Sequence, residues 1–448
     1  MRPSGPQRPQ FATPLTSVEI CAGAGGQAVG LHNAGFDHLA LVEWDPDAVS
    51  TLRANVSGWP GWSPERANSL QTMDVKDFLK SDIYANLGVG EGDLDLLAGG
   101  VPCPPFSLAG KRLGRDDERD LFPAALEIIK ALRPKAVMIE NVRGILEPPE
   151  VFIDYRIHIL DTLRDMGYAV PEMDSLLGPA GQDQVMRTVW RRLDASQFGV
   201  PQLRPRAILV AIRQDVLVEN GVPFVWPERV ATGQASVVGS LRKSMKARYL
   251  DFWDKNRDGN PAEPGEATGK DRFYEWLIKA KLAKDAGRVV APTLVGGSRK
   301  HGGADLGPTR AKNSWDAMGV NAMGVANDPD KCDPERDLFR DAGPMLTVRQ
   351  ASIIQGFPEE WKFQGKKTAR YRQVGNAFPP PVAEAVGRAI AEVLRPEMRG
   401  KLLAGYVLEA AEATGGTLPT QMALPISDLP ELGPAGKDRS GDLVGAKS

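Results

Sequence analysis

The feature that most limits what this chain can fold into is a strand that runs into a glycine-rich turn and a helix, followed by further strands alternating with helices. LTSVEICAGAGG reads as the strand and turn, and QAVGLHNAGF as a helix ending at Gly35. HLALVEWD is a second strand ending in acid, DPDAVSTLRAN opens a helix, LDLLAGG is a later strand ending in glycines, and AVMIENV is another. Parallel strands need such crossovers, so the expected fold class is α/β with a mainly parallel sheet. Its ligand should lie along the edge formed by the strand C-termini.

At 448 residues the chain is longer than most single domains require. We expect a disordered leader at 1–14, a ligand-binding domain at 15–213 and a smaller, irregular second unit at 214–342. Residues 343–413 should carry TVRQASIIQGF and PPVAEAVGRAIAEVL back to the first domain, and the Gly-, Pro-, Asp- and Ser-rich stretch 414–448 should be a disordered tail. Hydrophobic residues make up 42% and charged residues 25%, with no apolar run of the roughly 18 residues a membrane span needs. The leader lacks the apolar stretch of a secretory signal, so a cytoplasmic location, at the bacterial nucleoid, is expected. Cys21, Cys103 and Cys332 are too far apart for a CxxC-type metal pair, and no metal is expected. A net charge of −2 argues against indiscriminate coating of nucleic acid but leaves room for a local basic surface.

Four constellations carry candidate chemistry. In EICAGAGGQAVG, Gly23, Gly25 and Gly26 let the backbone turn tightly toward a nucleotide-like ligand, although plain strand-to-helix packing uses the same device. Glu43 ends the next strand where a ribose-binding carboxylate is expected. Asp74, placed after a third strand, could accept an adenine amino group or simply cap a helix. Pro102-Cys103-Pro104-Pro105-Phe106-Ser107 follows the glycines of LDLLAGG, and its prolines hold a cysteine in a loop suited to nucleophilic work rather than to space filling. A cysteine phosphatase would want an arginine six positions on, where Ala109 stands. Glu140, in ENV at a strand end on the same edge, could be partly desolvated and donate a proton, or merely pair with an arginine. Gln202, Arg204 and Arg206 alternate before a buried strand, so two guanidiniums could face a phosphate or carbonyl oxygen, or form an ordinary salt-bridged strand entrance.

Taken in order, the glycine turn, Glu43, PCPPFS, ENV, Gln-x-Arg-x-Arg, RQASIIQGFP and QVGNAFPPPVAEAVG resemble the motif series of the bacterial DNA cytosine-5 methyltransferase family, from Ser17 to about Val393. That resemblance implies a Rossmann-like domain that uses S-adenosylmethionine, with a target recognition domain in the unmatched stretch. It implies that Cys103 adds to cytosine C6, Glu140 contacts N3 and the exocyclic amine, Arg204 holds the cytosine carbonyl and Arg206 supports the site. Cofactor contacts would come from Ile20, Cys21, Ala22, Gly23, Gly25, Gly26, Glu43, Trp44, Asp74, Val75, Pro102, Asn376 and Ala377. The family often carries Phe where Cys21 stands, so adenine packing differs there. Its basic motif is reduced here to QLRPR, leaving Leu203 and Pro205 without polar roles.

DNA contacts are expected from Phe106, Ser107, Lys111, Arg112 and Gln202, and in the second unit from Arg299, Lys300, His301, Arg310 and Lys312 on a glycine-rich, base-reading loop. LRKSMKARYL adds Arg242, Lys243, Lys246 and Arg248, a phosphate surface or a solvated helix face. The expected partner is duplex DNA, bound by a monomer, with a restriction or phage-defence system as a further possible partner. A transfer-RNA cytosine-5 methyltransferase and a catalytically silent DNA-binding protein stay open as alternatives. The inserted unit favours DNA, and intact Cys103 and Glu140 favour an enzyme.

Overall fold

The computed structural model describes residues 7–102, 120–174, 176–296 and 305–409. Strands β1 (Leu15–Ile20), β2 (Phe36–Val42), β3 (Leu96–Gly99), β4 (Ala136–Val142), β5 (Trp190–Asp194) and β6 (Pro205–Ile212) form one sheet in the order β2-β1-β3-β4-β6-β5. β1 pairs in parallel with β2 and β3, and β3 with β4, whereas β6 runs antiparallel to both of its neighbours. Glu43, Gly100 and Glu140 therefore lie at one edge, as the α/β pattern requires.

Strand side chains alternate between two layers. Val18 and Ile20 enter an apolar cluster with the helices Phe122–Leu132 and Pro149–Asp165, and Leu15 enters a second one with α1 (Gly26–Asn33) and the helix Pro380–Leu394. Burying each such side chain is worth roughly 1.5–3 kcal/mol. A Cβ on Gly30 would lie 2.4 Å from the Pro380 carbonyl oxygen, so only glycine lets α1 and the returning C-terminal helix touch backbone to backbone.

The second unit is built on the helices Val237–Tyr249 and Gly269–Asp285, the latter opened by a Thr268–Asp271 capping box, with irregular connections between elements. Its limits differ from the expected 214–342. Val216, Val222, Phe224 and Trp226 share the core of the helix Pro380–Leu394, because the helix Gln214–Asn220 follows β6 directly and has the sheet face to cover. β7 (Pro227–Val230) pairs with β8 (Tyr406–Leu408). At the other end Ile354, Tyr371 and Val374 belong to the second unit's cluster, with Trp276, Leu294 and Trp315.

Two local expectations are corrected. The leader is held from Gln7 onward: Arg8 pairs with Asp37 and donates to the His32 carbonyl, and Phe11 packs on the core. Asp74 follows no strand; it caps the turn Val75–Lys80, accepting from the Lys76 amide. The tail beyond residue 409 lies outside the described residues. Among the described residues no helix is long and apolar enough to cross a membrane, and no group of three His, Cys, Asp or Glu is arranged to hold a metal ion.

Candidate active site

The turn after β1 is shaped by neighbours from distant parts of the chain. Cys21 has φ 51° and Gly25 φ 85°, so the chain reverses within a few residues before α1 begins. The Trp361 indole donates to the Ala24 carbonyl at 3.1 Å and backs the turn. A Cβ on Gly26 would meet the Phe378 carbonyl oxygen at 2.3 Å, so the QVGNAFPPP segment lies directly on the turn.

Glu43 welds this turn to the end of β2. One of its carboxylate oxygens accepts from the Gly23 amide at 2.6 Å, the other from the Trp44 and Asp45 amides at 3.0 and 2.8 Å. Burial pushes its carboxyl above the usual range and these three amides oppose the shift. Beside it the Trp44 ring is 75% exposed, a large bare aromatic face at the ligand edge. Ile20 and Val75 are buried behind the turn, Ala22 and Ala377 are buried, and Pro102 and Asn376 are exposed. Burial, with Glu43 and Asp74 nearby, pushes the Cys21 thiol up to about 12, and burial raises that of Cys332 as well. Neither is activated as a nucleophile.

The second half of the site lies where β3 meets β4. A Cβ on Gly100 would lie 3.3 Å from a Glu140 carboxylate oxygen and 3.7 Å from the Cys21 carbonyl, so Gly100 stands between the glycine turn and the acid. The Asn141 side chain donates to the Val101 carbonyl at 2.8 Å. The Pro102 carbonyl accepts from the Leu121 amide at 3.2 Å. Asp120 accepts from the Tyr155 hydroxyl at 2.7 Å. Cys103, Phe106, Ser107, Lys111 and Arg112 lie outside the described residues, as do Arg299, Lys300 and His301.

Glu140 pairs with Arg206 at 2.8 Å, with both side chains 12% exposed. Burial raises the Glu140 carboxyl, and Arg206 and then Arg204 pull against it. The two arginines have different partners. Arg204 is 1% exposed, and its guanidinium is spent on the carbonyls of Leu294, Gly375 and Ala377 at 2.6, 2.6 and 3.0 Å. The expectation that Arg204 holds the cytosine carbonyl is therefore corrected, since its guanidinium is taken up by these carbonyls while Arg206 makes the ion pair with Glu140. Gln202 is likewise corrected as a DNA contact. It is fully buried, donates to the Gln355 side-chain oxygen at 2.7 Å and accepts from the Leu294 amide at 2.7 Å.

In the second unit Arg310 and Lys312 sit on the helix Thr309–Ala317 rather than on a loop; Arg310 is exposed and Lys312 pairs with Asp305 at 2.8 Å. Arg242, Lys243 and Lys246 are exposed on the helix Val237–Tyr249. Arg248 is turned inward to the Met345 carbonyl at 2.6 Å and the Gln350 side chain at 2.9 Å, and so offers nothing to a phosphate. Trp361 and Gln355 escaped the sequence reading because their partners lie far away in the chain, although Gln355 belongs to the quoted RQASIIQGFP and Trp361 follows it closely.

Glu19 is the largest electrostatic liability near the site. It is fully buried in β1 and neither carboxylate oxygen meets a donor at hydrogen-bond geometry, so the nearby Ala28 amide offsets burial only in part. Burial therefore holds its carboxyl well above the usual range. A raised folded-state value favours the protonated form, so its stabilising share is complete below the ordinary glutamate range and is lost as pH rises through the folded value. Glu19→Gln has no such titration. We expect the variant to gain on the wild type by about 1.4 kcal/mol per pH unit across that window. Denaturant melts between pH 5 and pH 9 check it, and a constant difference at every pH contradicts it.

The model of the C-5 cytosine-specific DNA methylase family matches residues 15–392. The Type II methyltransferase M.NaeI of Lentzea aerocolonigenes is 46% identical over 388 residues, covering 86% of this chain and 77% of the relative. The Type II methyltransferase M.NgoMIV of Neisseria gonorrhoeae is 40% identical over 386 residues, 86% of this chain and 99% of the relative. Among solved structures, the S. pombe Dnmt2 methyltransferase aligns over 86% of this chain and 99% of its own at 16% identity, with a TM-score of 0.46.

Proposed function

The chain belongs to the C-5 cytosine-specific DNA methylase family, and on that premise we propose that it extrudes one cytosine from duplex DNA, adds Cys103 to C6 and methylates C5. The observation that carries this reading is the position of Gly100 between the Cys21 carbonyl and the Glu140 carboxylate, three residues before Cys103. Gly100 is thus bordered by the glycine turn on one side and by an acid on the other.

S-adenosylmethionine fits the residues present. Glu43, held by three amides, has lone pairs left for ribose hydroxyls; the exposed Trp44 ring offers a stacking face for adenine; and Asn376 and Ala377 would hold the methionine end. Asp74 keeps one carboxylate oxygen beyond its cap for an adenine amino group. Bound there, the cofactor supplies a methyl group made electrophilic by its sulfonium.

The chain's own groups do the rest. The Cys103 thiolate forms a bond to C6 while Glu140 delivers a proton to N3, so that the ring carries no net charge as C5 becomes nucleophilic. Arg206, paired with Glu140, is placed to hold the cytosine carbonyl oxygen, the role the sequence assigned to Arg204. After C5 has taken the methyl group, loss of the C5 proton to a base expels the Cys103 thiolate, and Glu140 recovers the N3 proton. Extruding the base costs a few kcal/mol, offset by contacts from the second unit, where Arg242, Lys243, Lys246 and Arg310 face solvent. One chain carries every named group, so a monomer suffices. The Type II relatives favour a restriction-modification setting over gene regulation.

Glu43→Gln should weaken S-adenosylhomocysteine binding roughly 10- to 100-fold, because a charge-assisted hydrogen bond is worth about 1.5–3 kcal/mol and the glutamine amino group faces backbone amides. Isothermal titration measures this, and wild-type affinity in the variant removes Glu43 from the cofactor site.

The overall reading is tested with tritiated S-adenosylmethionine and either duplex DNA or transfer RNA. Label should enter DNA, and bisulfite sequencing of DNA from a host expressing the protein should return one methylated sequence context. Label in transfer RNA alone, or in neither nucleic acid, overturns the proposal in favour of an RNA enzyme or a silent DNA-binding protein.

A further inference from the structure

The Arg204 guanidinium joins two parts of the chain that lie far apart in sequence. Through Nη1 it donates to the carbonyl of Leu294, a member of the second unit's core. Through Nη2 it donates to the carbonyls of Gly375 and Ala377, the residues on either side of Asn376. Gln355 also donates to the Ala377 carbonyl, and Gln202 bridges Gln355 to the Leu294 amide. Contact between the two segments is immediate, since a Cβ on Gly375 would lie 2.6 Å from the Gly296 nitrogen. Asn376 itself is exposed at the end of the helix Lys367–Asn376. A rigid fork thus holds segment 294–296 of the second unit at a set distance from the turn that presents Asn376.

We propose that Arg204 is a positioning residue that couples the two binding events: it makes the hold of Asn376 on the cofactor depend on where DNA places the second unit. Neither ligand touches Arg204, which is buried, so its effect reaches them through the backbone of 294–296 and 375–377. The inference rests on the reading of Asn376 as a cofactor contact. Lysine cannot replace the fork, because one ammonium on a flexible stem cannot serve three carbonyls from two segments in fixed geometry.

The test is the linkage between the ligands, which must be reciprocal at equilibrium. The dissociation constant of S-adenosylhomocysteine is measured by titration calorimetry, with and without a duplex carrying the sequence found by bisulfite mapping. In the wild type the duplex should tighten S-adenosylhomocysteine by roughly 5- to 150-fold, the usual span of such couplings. In Arg204→Lys this factor should fall toward 1, while duplex affinity measured alone changes less than about 3-fold, within the half-kilocalorie range of an unaffected site. Asn376→Ala should lose the same factor, and the double variant should lose no more than either single one. If Arg204→Lys melts before the measurement temperature, Gln355→Met, which removes one of the bonds to Ala377, should show a reduced factor instead. A wild-type factor retained in Arg204→Lys, or in Gln355→Met when the lysine variant is unfolded, overturns the proposal. A wild type that binds S-adenosylhomocysteine with no change on adding the duplex also overturns it, whereas no binding of S-adenosylhomocysteine at all refutes the cofactor reading on which it rests.

Discussion

Cys103→Ala abolishes methyl transfer, with a loss on the order of 10⁴-fold or more, as expected when the attacking atom of a covalent mechanism is removed. No other cysteine can substitute. Cys21 is a buried thiol pushed up to about 12 and Cys332 is also raised, so both are poorer sources of thiolate than an ordinary cysteine. The side chain lost is small, and the cofactor and second-unit residues are untouched. Affinities for S-adenosylhomocysteine and for the mapped duplex should therefore stay within about 3-fold of wild type, a change of half a kilocalorie or so. Filter-bound tritium and calorimetry together measure both halves of the expectation. Residual activity within 100-fold of wild type would remove the covalent step.

Glu140→Gln is expected to reduce the turnover rate by roughly 10²- to 10⁴-fold, the usual worth of a positioned proton donor. Glutamine keeps the shape and can still accept from Arg206, so the loss should appear in kcat more than in folding. A truncation such as Glu140→Ala strands the Arg206 guanidinium, which is only 12% exposed, and such breaks cost about 3–5 kcal/mol. The pH profile carries a second signature. Because burial holds the Glu140 carboxyl above its ordinary range, the protonated form persists to higher pH than in an ordinary glutamate and activity declines as pH rises through that raised value. That decline should vanish from the glutamine profile. Single-turnover rates between pH 5.5 and pH 9 decide the matter, and an unchanged decline in the variant assigns it to another group.

The parts of the fold visible in sequence were those in which the signal is local. The β1 turn into α1, the acid after β2 and the ENV end of β4 each follow from a few adjacent residues whose period and glycines admit one reading. Depth was not visible. Alternation before β6 correctly put Arg204 and Arg206 near one another, but it could not tell that Arg204 meets carbonyls 90 and 171 residues away while Arg206 meets Glu140. The same limit applies to Arg248, which reads like its exposed neighbours Arg242 and Lys243 yet turns inward to Met345 and Gln350. Glycines near 302–307 suggested a loop reaching as far as Lys312, whereas a helix starts at Thr309. Unit limits shifted for a related reason. The apolar residues of 216–226 carry no label saying which core they fill, and only the nearness of β6 to the helix Pro380–Leu394 decides it.

Turnover depends on a bond between Cys103 and the target base that breaks only when the C5 hydrogen leaves. Replacing the target cytosine by 5-fluorocytosine puts at C5 an atom that cannot depart as a proton, so the intermediate should accumulate. Incubation of that duplex with the protein and S-adenosylmethionine should give a denaturant-resistant complex whose mass is the sum of protein, DNA and one methyl group, with the modified peptide containing Cys103. A wild type that methylates the ordinary duplex but forms no such complex, or one attached through any other residue, would contradict it.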